Sequence, residues 1–280
     1  MAGIRVVTDS ACDLPQALAD EHGIEIVPLT IRFGDDELVD RRDLSPKEFW
    51  ARSAESPVLP ETAAPSAGAF EEVYKRLAGE GADGIVCVTL SSALSATHQA
   101  AALAAKSLGD EIPIRVVDSK AVTMAQGLMA LAAAKLGEGG AGIDEAAQAV
   151  EDLVARSRIF ATLDTLENLK KGGRIGAAQA LFGSLLSIKP VIELRDGVVE
   201  AESKQRTRSK SLRYLVEKVK EHGKIENLVV MHGEAPDLEE FLDLVSAVYP
   251  REEIIVGDIG AVIGTHGGPR VMGVVFHVPR

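Results

Sequence analysis

The sequence predicts an α/β protein of two domains, and three observations carry that expectation. Short β-branched runs alternate with helix-period stretches through the first half. After Ser157 the pattern changes to paired strands around Asp196-Gly197, interleaved with helices, as in an α+β unit. The length of 280 residues suits one large or two medium domains with full cores. The expected boundary lies near residue 158. It gives an N-terminal parallel-sheet α/β domain over 1–158 and a C-terminal α+β domain over 159–280.

Element by element, Ile4–Thr8 opens the chain as a strand and a helix starts at Asp13-Leu14-Pro15. Ile24–Phe33 reads as one strand, and Ser45–Ser53 and Gly68–Gly79 as helices. The apolar run Gly84–Leu90 is a strand, followed by an Ala-rich helix over Leu94–Leu108 and a strand over Ile114–Val117. Helix Thr123–Leu136 comes next, then the flexible Gly137–Gly142 segment and a helix opening at Asp144. Strands joined by helical crossovers imply a parallel sheet. In the second part we expect strand Ile159–Leu163, helix Leu166–Lys170, a buried apolar helix or cavity wall over Ala177–Ile188, and the Asp196-Gly197 hairpin. Helix Ser209–His222, strand Asn227–Met231, helix Pro236–Val248 and strands Glu253–Val256 and Val271–Val278 close the chain.

Composition excludes several classes. Apolar residues make up 46% and charged residues 26%, so the chain is neither disordered nor collagen-like. The net charge of −12 is concentrated in residues 1–150, with 12 basic and 23 acidic side chains; the remainder has 18 and 19. Such acidity repels phosphate backbones and anionic bilayers, so neither nucleic acid nor a membrane is expected as partner. Two cysteines, Cys12 and Cys87, give no disulfide framework. No stretch reaches the roughly 18 apolar residues of a spanning helix, and no leader pattern opens the sequence, which reads as cytoplasmic.

Several constellations could carry chemistry. Three strand ends bear hydroxyls: Asp9-Ser10, Ser91-Ser92 and Asp118-Ser119. In open α/β sheets ligands bind at this edge, where helix starts offer free N–H groups. Ser91, Ser92 and Ser95 either cap a helix or surround an anion. Thr62 stands between Pro60 and Pro65, in a plain surface loop or in a rigid loop presenting its hydroxyl. Arg174, set between Gly173 and Gly176, is a solvated side chain or a bidentate fork for a carboxylate or phosphate. His266 lies in a glycine-rich turn where backbone can approach a ligand. Lys204, Arg206, Arg208, Lys210 and Arg213 form either a solvated face or a docking surface for an acidic protein. No zinc spacing, Walker A pattern or His-Glu-x-x-His occurs, so no metal or nucleotide cofactor is expected. Aromatics at 4% imply that any pocket is aliphatic and suits an alkyl chain.

Taken in order, Thr8-Asp9-Ser10-Ala11-Cys12-Asp13-Leu14-Pro15, Ser91–Thr97, Leu163–Gly176, Leu186–Pro190, Arg206-Thr207-Arg208 and Ile263-Gly264-Thr265-His266 resemble the DegV family across essentially the whole chain. The resemblance implies a two-domain DegV-like fold with a ligand cavity between the domains. It further implies a carrier of one long-chain fatty acid, such as palmitate or stearate, that presents the carboxylate to a separate ATP-dependent fatty-acid kinase subunit for phospholipid synthesis. Carried over by motif, Thr62, Ser91, Ser92, Ser95, Arg174 and His266 would bind the carboxylate, with Ser92 first among the serines. Lys204, Arg206 and Arg208 would meet the kinase. The sequence departs from the family at Ala63-Ala64, where Ser-Gln is usual, and at Ala96, where Gly is usual. Two other readings stay open. One is an enzyme acting on a small phosphorylated or carboxylated metabolite at the sheet crest; the other is a regulatory module using the basic segment.

Overall fold

The computed structural model describes residues 3–181 and 188–280. The first sheet is fully parallel and contains β1 (Ile4–Asp9), β2 (Ile24–Val27), β6 (Gly84–Thr89) and β7 (Ile114–Asp118), in the order β2-β1-β6-β7. A small antiparallel sheet of β3 (Thr30–Phe33), β4 (Asp36–Val39) and β5 (Glu61–Ala63) has the order β4-β3-β5. The third sheet takes β8 (Ser157–Thr162), β9 (Lys189–Arg195), β10 (Val198–Gln205), β11 (Glu226–His232), β12 (Ile255–Asp258) and β13 (Met272–His277). Its order is β10-β9-β8-β13-β11-β12, antiparallel except between β11 and β12. The α/β expectation, with its parallel first sheet, is met.

Helices in the first half are α1 (Gln16–Glu21), α2 (Pro46–Glu55), α3 (Ala67–Gly79), α4 (Thr97–Leu108), α5 (Thr123–Glu138) and α6 (Ile143–Arg156). Then follow α7 (Glu167–Lys171), α8 (Arg208–Glu221), α9 (Leu238–Ser246) and α10 (Ala261–Gly267). Every residue of β6 is buried because the strand is central and covered on both faces. Its alternate residues Ile85 and Cys87 join Phe70, Tyr74 and Leu77 of α3, whereas Val86 and Val88 face Met129 and Ala133 of α5. Both cysteines are free and buried, and burial pushes each thiol up to about 12. The third sheet divides its side chains likewise. Phe160, Val230 and Phe276 pack with Leu212, Leu215 and Phe241 of α8 and α9, while Ile159, Met231 and Val275 turn toward the first half.

Four expectations change. The single strand over Ile24–Phe33 is two strands in different sheets, because Pro28 has no N–H for a ladder and the next amide, Leu29, donates to Ser10 Oγ at 3.0 Å. Thr62 is in strand β5 rather than in a loop, paired with Ile31 of β3. His266 is in helix α10 rather than in a turn. Of the apolar stretch Ala177–Ile188, residues 182–187 lie outside the described residues. Gly176–Leu181 is a 3₁₀ turn that buries Ala178 and Leu181 and exposes Ala177, Gln179 and Ala180, whose small or polar side chains make that exposure inexpensive. No helix among the described residues is long and apolar enough to cross a membrane.

Candidate functional site

A cavity lies between the inner face of the third sheet and the crest of the first. Leu90, Leu94 and Val122 line it from the crest, and Ile159, Ile192 and Val275 from the third sheet. Nearly all the other lining groups are aliphatic, and the polar ones are Thr62, Ser95, Thr123, Arg174 and His266.

Four of these cluster. Strand β5, hydrogen-bonded to β3, carries Thr62, whose Oγ1 is 3.0 Å from His266 Nε2 of α10. Arg174 follows α7 and is tied down by two carbonyls. Its Nε donates to Leu94 O at 3.0 Å, next to Ser95, and its Nη1 to Gly172 O. Ser95 Oγ is 2.9 Å from Thr97 Oγ1 at the start of α4. From this cluster the cavity extends along β8 and β13 toward Ile159 and Val275, which pair in register.

The electrostatics favour an anion at the cluster. Burial, assisted by the neighbouring Arg174 charge, pushes the His266 imidazole down to about 4, so the ring is neutral at neutral pH. Arg174 is then the one full charge among the described lining residues. An aliphatic cavity with a guanidinium, a neutral imidazole and two hydroxyls at one place can satisfy the polar end of an otherwise apolar molecule. Gly172 makes this possible by close approach, because a Cβ there would stand 2.4 Å from His266 Nδ1. That Nδ1 has no partner among the described residues, so no carboxylate orients the ring as a hydroxyl–imidazole–carboxylate relay requires. No group of three or more His, Cys, Asp or Glu among the described residues could hold a metal.

Ser91 and Ser92 lie elsewhere. Ser91 is buried with its Oγ donating to Gly197 O at 2.7 Å, which ties the β9–β10 turn to the crest. Ser92 is exposed; its Oγ and its N–H both go to Asp118. Neither lines the cavity, so of these three serines Ser95 alone joins Thr62, Arg174 and His266. In the basic segment Lys204 and Arg206 are exposed, whereas Arg208 is committed to Asp237 through bonds of 2.8 and 3.1 Å. Sequence reasoning missed Thr123, which lines the cavity at φ 53, a left-handed conformation rare for a β-branched residue. It also missed Leu29, which the break at Pro28 brings into the cavity wall.

An α/β protein with a separate mixed sheet, and an apolar cavity closed by a hydroxyl, imidazole and guanidinium cluster, is the class these features define. The chain belongs to the DegV family: the family model described as "Uncharacterised protein, DegV family" matches residues 3–278. A DegV domain-containing protein of Streptomyces coelicolor is 42% identical over 277 residues, covering 97% of each chain. Among solved structures, a fatty-acid-binding DegV family protein of Thermus thermophilus superposes with a TM-score of 0.90 at 32% identity, over 99% of this chain and all of that one. A stearic-acid-binding protein of Eubacterium ventriosum superposes with a TM-score of 0.86 at 29% identity, over 99% of this chain and 98% of that one.

Proposed function

We propose that the protein binds one long-chain fatty acid, such as palmitate or stearate, with its tail in the apolar cavity. The carboxylate would lie at Thr62, Ser95, Arg174 and His266. The observation that carries this reading is the single apolar cavity wall interrupted by one polar cluster. At roughly 0.8 kcal/mol per buried CH₂, a chain of about sixteen carbons offers an upper bound near 12 kcal/mol, most of it from the tail. The ligands named for the Thermus and Eubacterium proteins support the same class of molecule.

In this reading the protein is a carrier that hands the carboxylate to an ATP-dependent fatty-acid kinase subunit supplying acyl phosphate for phospholipid synthesis. Of Lys204, Arg206 and Arg208, the first two are exposed and available for docking. The resemblance to the family supports the kinase partnership. We read the chain as two domains divided near residue 158, supported by the change from the first sheet to the third at β8. Denaturing extraction of purified protein followed by mass spectrometry tests the reading. A stoichiometric fatty acid is expected; an empty extract from protein that also refuses added palmitate overturns it.

A further inference from the structure

One buried carboxylate links the end of the first sheet to the helix that carries His266. Asp13 follows the short turn Ser10–Cys12 after β1 and sits in the left-handed region at φ 49. Its Oδ1 accepts the backbone N–H of Gly260 at 3.0 Å, a bond spanning 247 residues of sequence. Gly260 is the N-cap of α10, no side chain of α10 or its N-cap supplies a cap, and a Cβ at Gly260 would stand 2.7 Å from the Asp13 oxygen. Helix starts leave N–H groups without partners and attract negative charge. Asp13 thus supplies from the first sheet the cap that α10 lacks.

The far end of α10 is held as well. Asn168 Nδ2 donates to Thr265 O at 3.0 Å, and Gly172 lies against the His266 ring. A helix of seven residues has too few internal hydrogen bonds to fix its own axis. Its two end contacts, together with the packing of Gly264 against Phe49 and Trp50 of α2, therefore hold His266 in place.

We propose that Asp13 is a positioning residue of the head-group site: by capping α10 at Gly260 it sets His266 against Thr62 and so sharpens recognition of a ligand carboxylate. The groups facing it are Thr123 from the start of α5, Arg41 and Asp40 from the segment after β4, and Cys12 from its own turn. Asp258 lies in the same surface depression as Asp13, Asp40 and Arg41. Burial pushes the Asp13 carboxyl up to about 7, against the opposing pull of Thr123, Arg41 and the Gly260 amide. The capping charge consequently changes near neutral pH.

The ligand part of the inference rests on the fatty-acid reading; the placement of His266 does not. Wild type, Asp13→Asn, Asp13→Ala and Gly260→Ala are compared by NMR of the His266 ring and by binding of palmitate and of hexadecanol. Asp13→Asn keeps an acceptor for the Gly260 N–H but no charge, so its ring signals should match those of wild type on the acid side of the Asp13 titration, where the carboxyl is neutral. Asp13→Ala and Gly260→Ala should displace them alike. Wild-type ring signals should also move as Asp13 titrates near pH 7 and stay still in Asp13→Asn. The preference for palmitate over hexadecanol should fall about fivefold in Asp13→Ala, the size of one lost helix cap, and recover in Asp13→Asn. A merely structural role weakens both ligands equally, and an unchanged ratio overturns the proposal. Ring signals of folded Asp13→Ala that superimpose on wild type overturn it too. Where Asp13→Ala does not fold, Gly260→Ala decides by the same readouts. Wild-type protein that binds neither ligand sinks the fatty-acid reading, and the ring signals still decide the role of Asp13.

Discussion

His266 is held neutral by burial and by Arg174, and a ligand carboxylate beside both would supply the opposite charge that favours imidazolium. Palmitate binding should therefore raise the His266 pKa from about 4. Ring shifts followed through a pH titration with and without ligand check this, and an unchanged midpoint would place the carboxylate elsewhere. Arg174→Ala removes the one charged donor. By calorimetry it should weaken palmitate by about 1.5 to 3 kcal/mol and leave hexadecanol nearly unaffected. Ser92→Ala should change neither affinity, since its hydroxyl is already given to Asp118 outside the cavity. The candidate site was legible in the sequence as far as residue type and motif reach. Thr62, Ser95, Arg174 and His266 stand where polar residues interrupt apolar or glycine-rich runs. Which serine turns inward was not legible, because the choice depends on partners 26 and 106 residues away, Asp118 for Ser92 and Gly197 for Ser91. Thr123 was hidden because a left-handed backbone is uncommon for a β-branched residue, so its type gives no sign of it.

At the scale of elements, the basic segment divides by structural role. Arg208 opens α8 and grips Asp237, just before α9, with both side chains largely buried, whereas Lys204 and Arg206 are exposed on and just after β10. Thermal or urea denaturation should show Arg208→Ala destabilised by about 2 to 3 kcal/mol, because Asp237 loses a bidentate charged partner. Lys204→Ala and Arg206→Ala should unfold like wild type, since neither side chain is buried; under the proposed function their effect should appear only in pull-down with a fatty-acid kinase subunit. Equal stability of all three variants would show that the Arg208 pair contributes nothing. Strands and long helices were readable from the sequence because β-branched runs and the 3.6-residue period encode burial directly, as in β6 and α6. The small sheet of β3, β4 and β5 was not. Its strands have three or four residues and the pairing of β3 with β5 is non-local, although β3 and β4 form a local hairpin. Helix α10 was masked by Gly264 and Gly267, which disfavour a helix by propensity. Gly264 is required because a Cβ there would stand 2.6 Å from the Phe49 ring.

Across the whole molecule, the junction of the first and third sheets buries groups that titrate in opposite senses. Burial raises Asp9 to about 6 and Asp13 to about 7, and lowers His266 and His277 to about 4. A carboxyl whose folded pKa exceeds its unfolded value of 3.8 contributes stability that is complete below that value and is lost as pH rises through the folded pKa. A histidine whose folded pKa lies below 6.5 contributes stability that is complete above 6.5 and is lost as pH falls through about 4. Between pH 4 and 6, then, the two carboxyls and the two histidines change stability with opposite slopes, about 1.4 kcal/mol per pH unit for each group. Their contributions nearly cancel, so the wild-type curve conceals them and single substitutions uncover them. Asp13→Asn removes one descending contribution, and its stability relative to wild type should improve steadily from about pH 4 to about pH 7. His266→Asn removes one ascending contribution, and its relative stability should decline from about pH 4 to pH 6.5. Urea titrations at several pH values check both difference curves. Flat differences would mean that the junction admits water and that these groups ionise as they do in the unfolded chain; opposed slopes would show that one dry interface holds both His266 and the Asp13 carboxylate at the start of its helix.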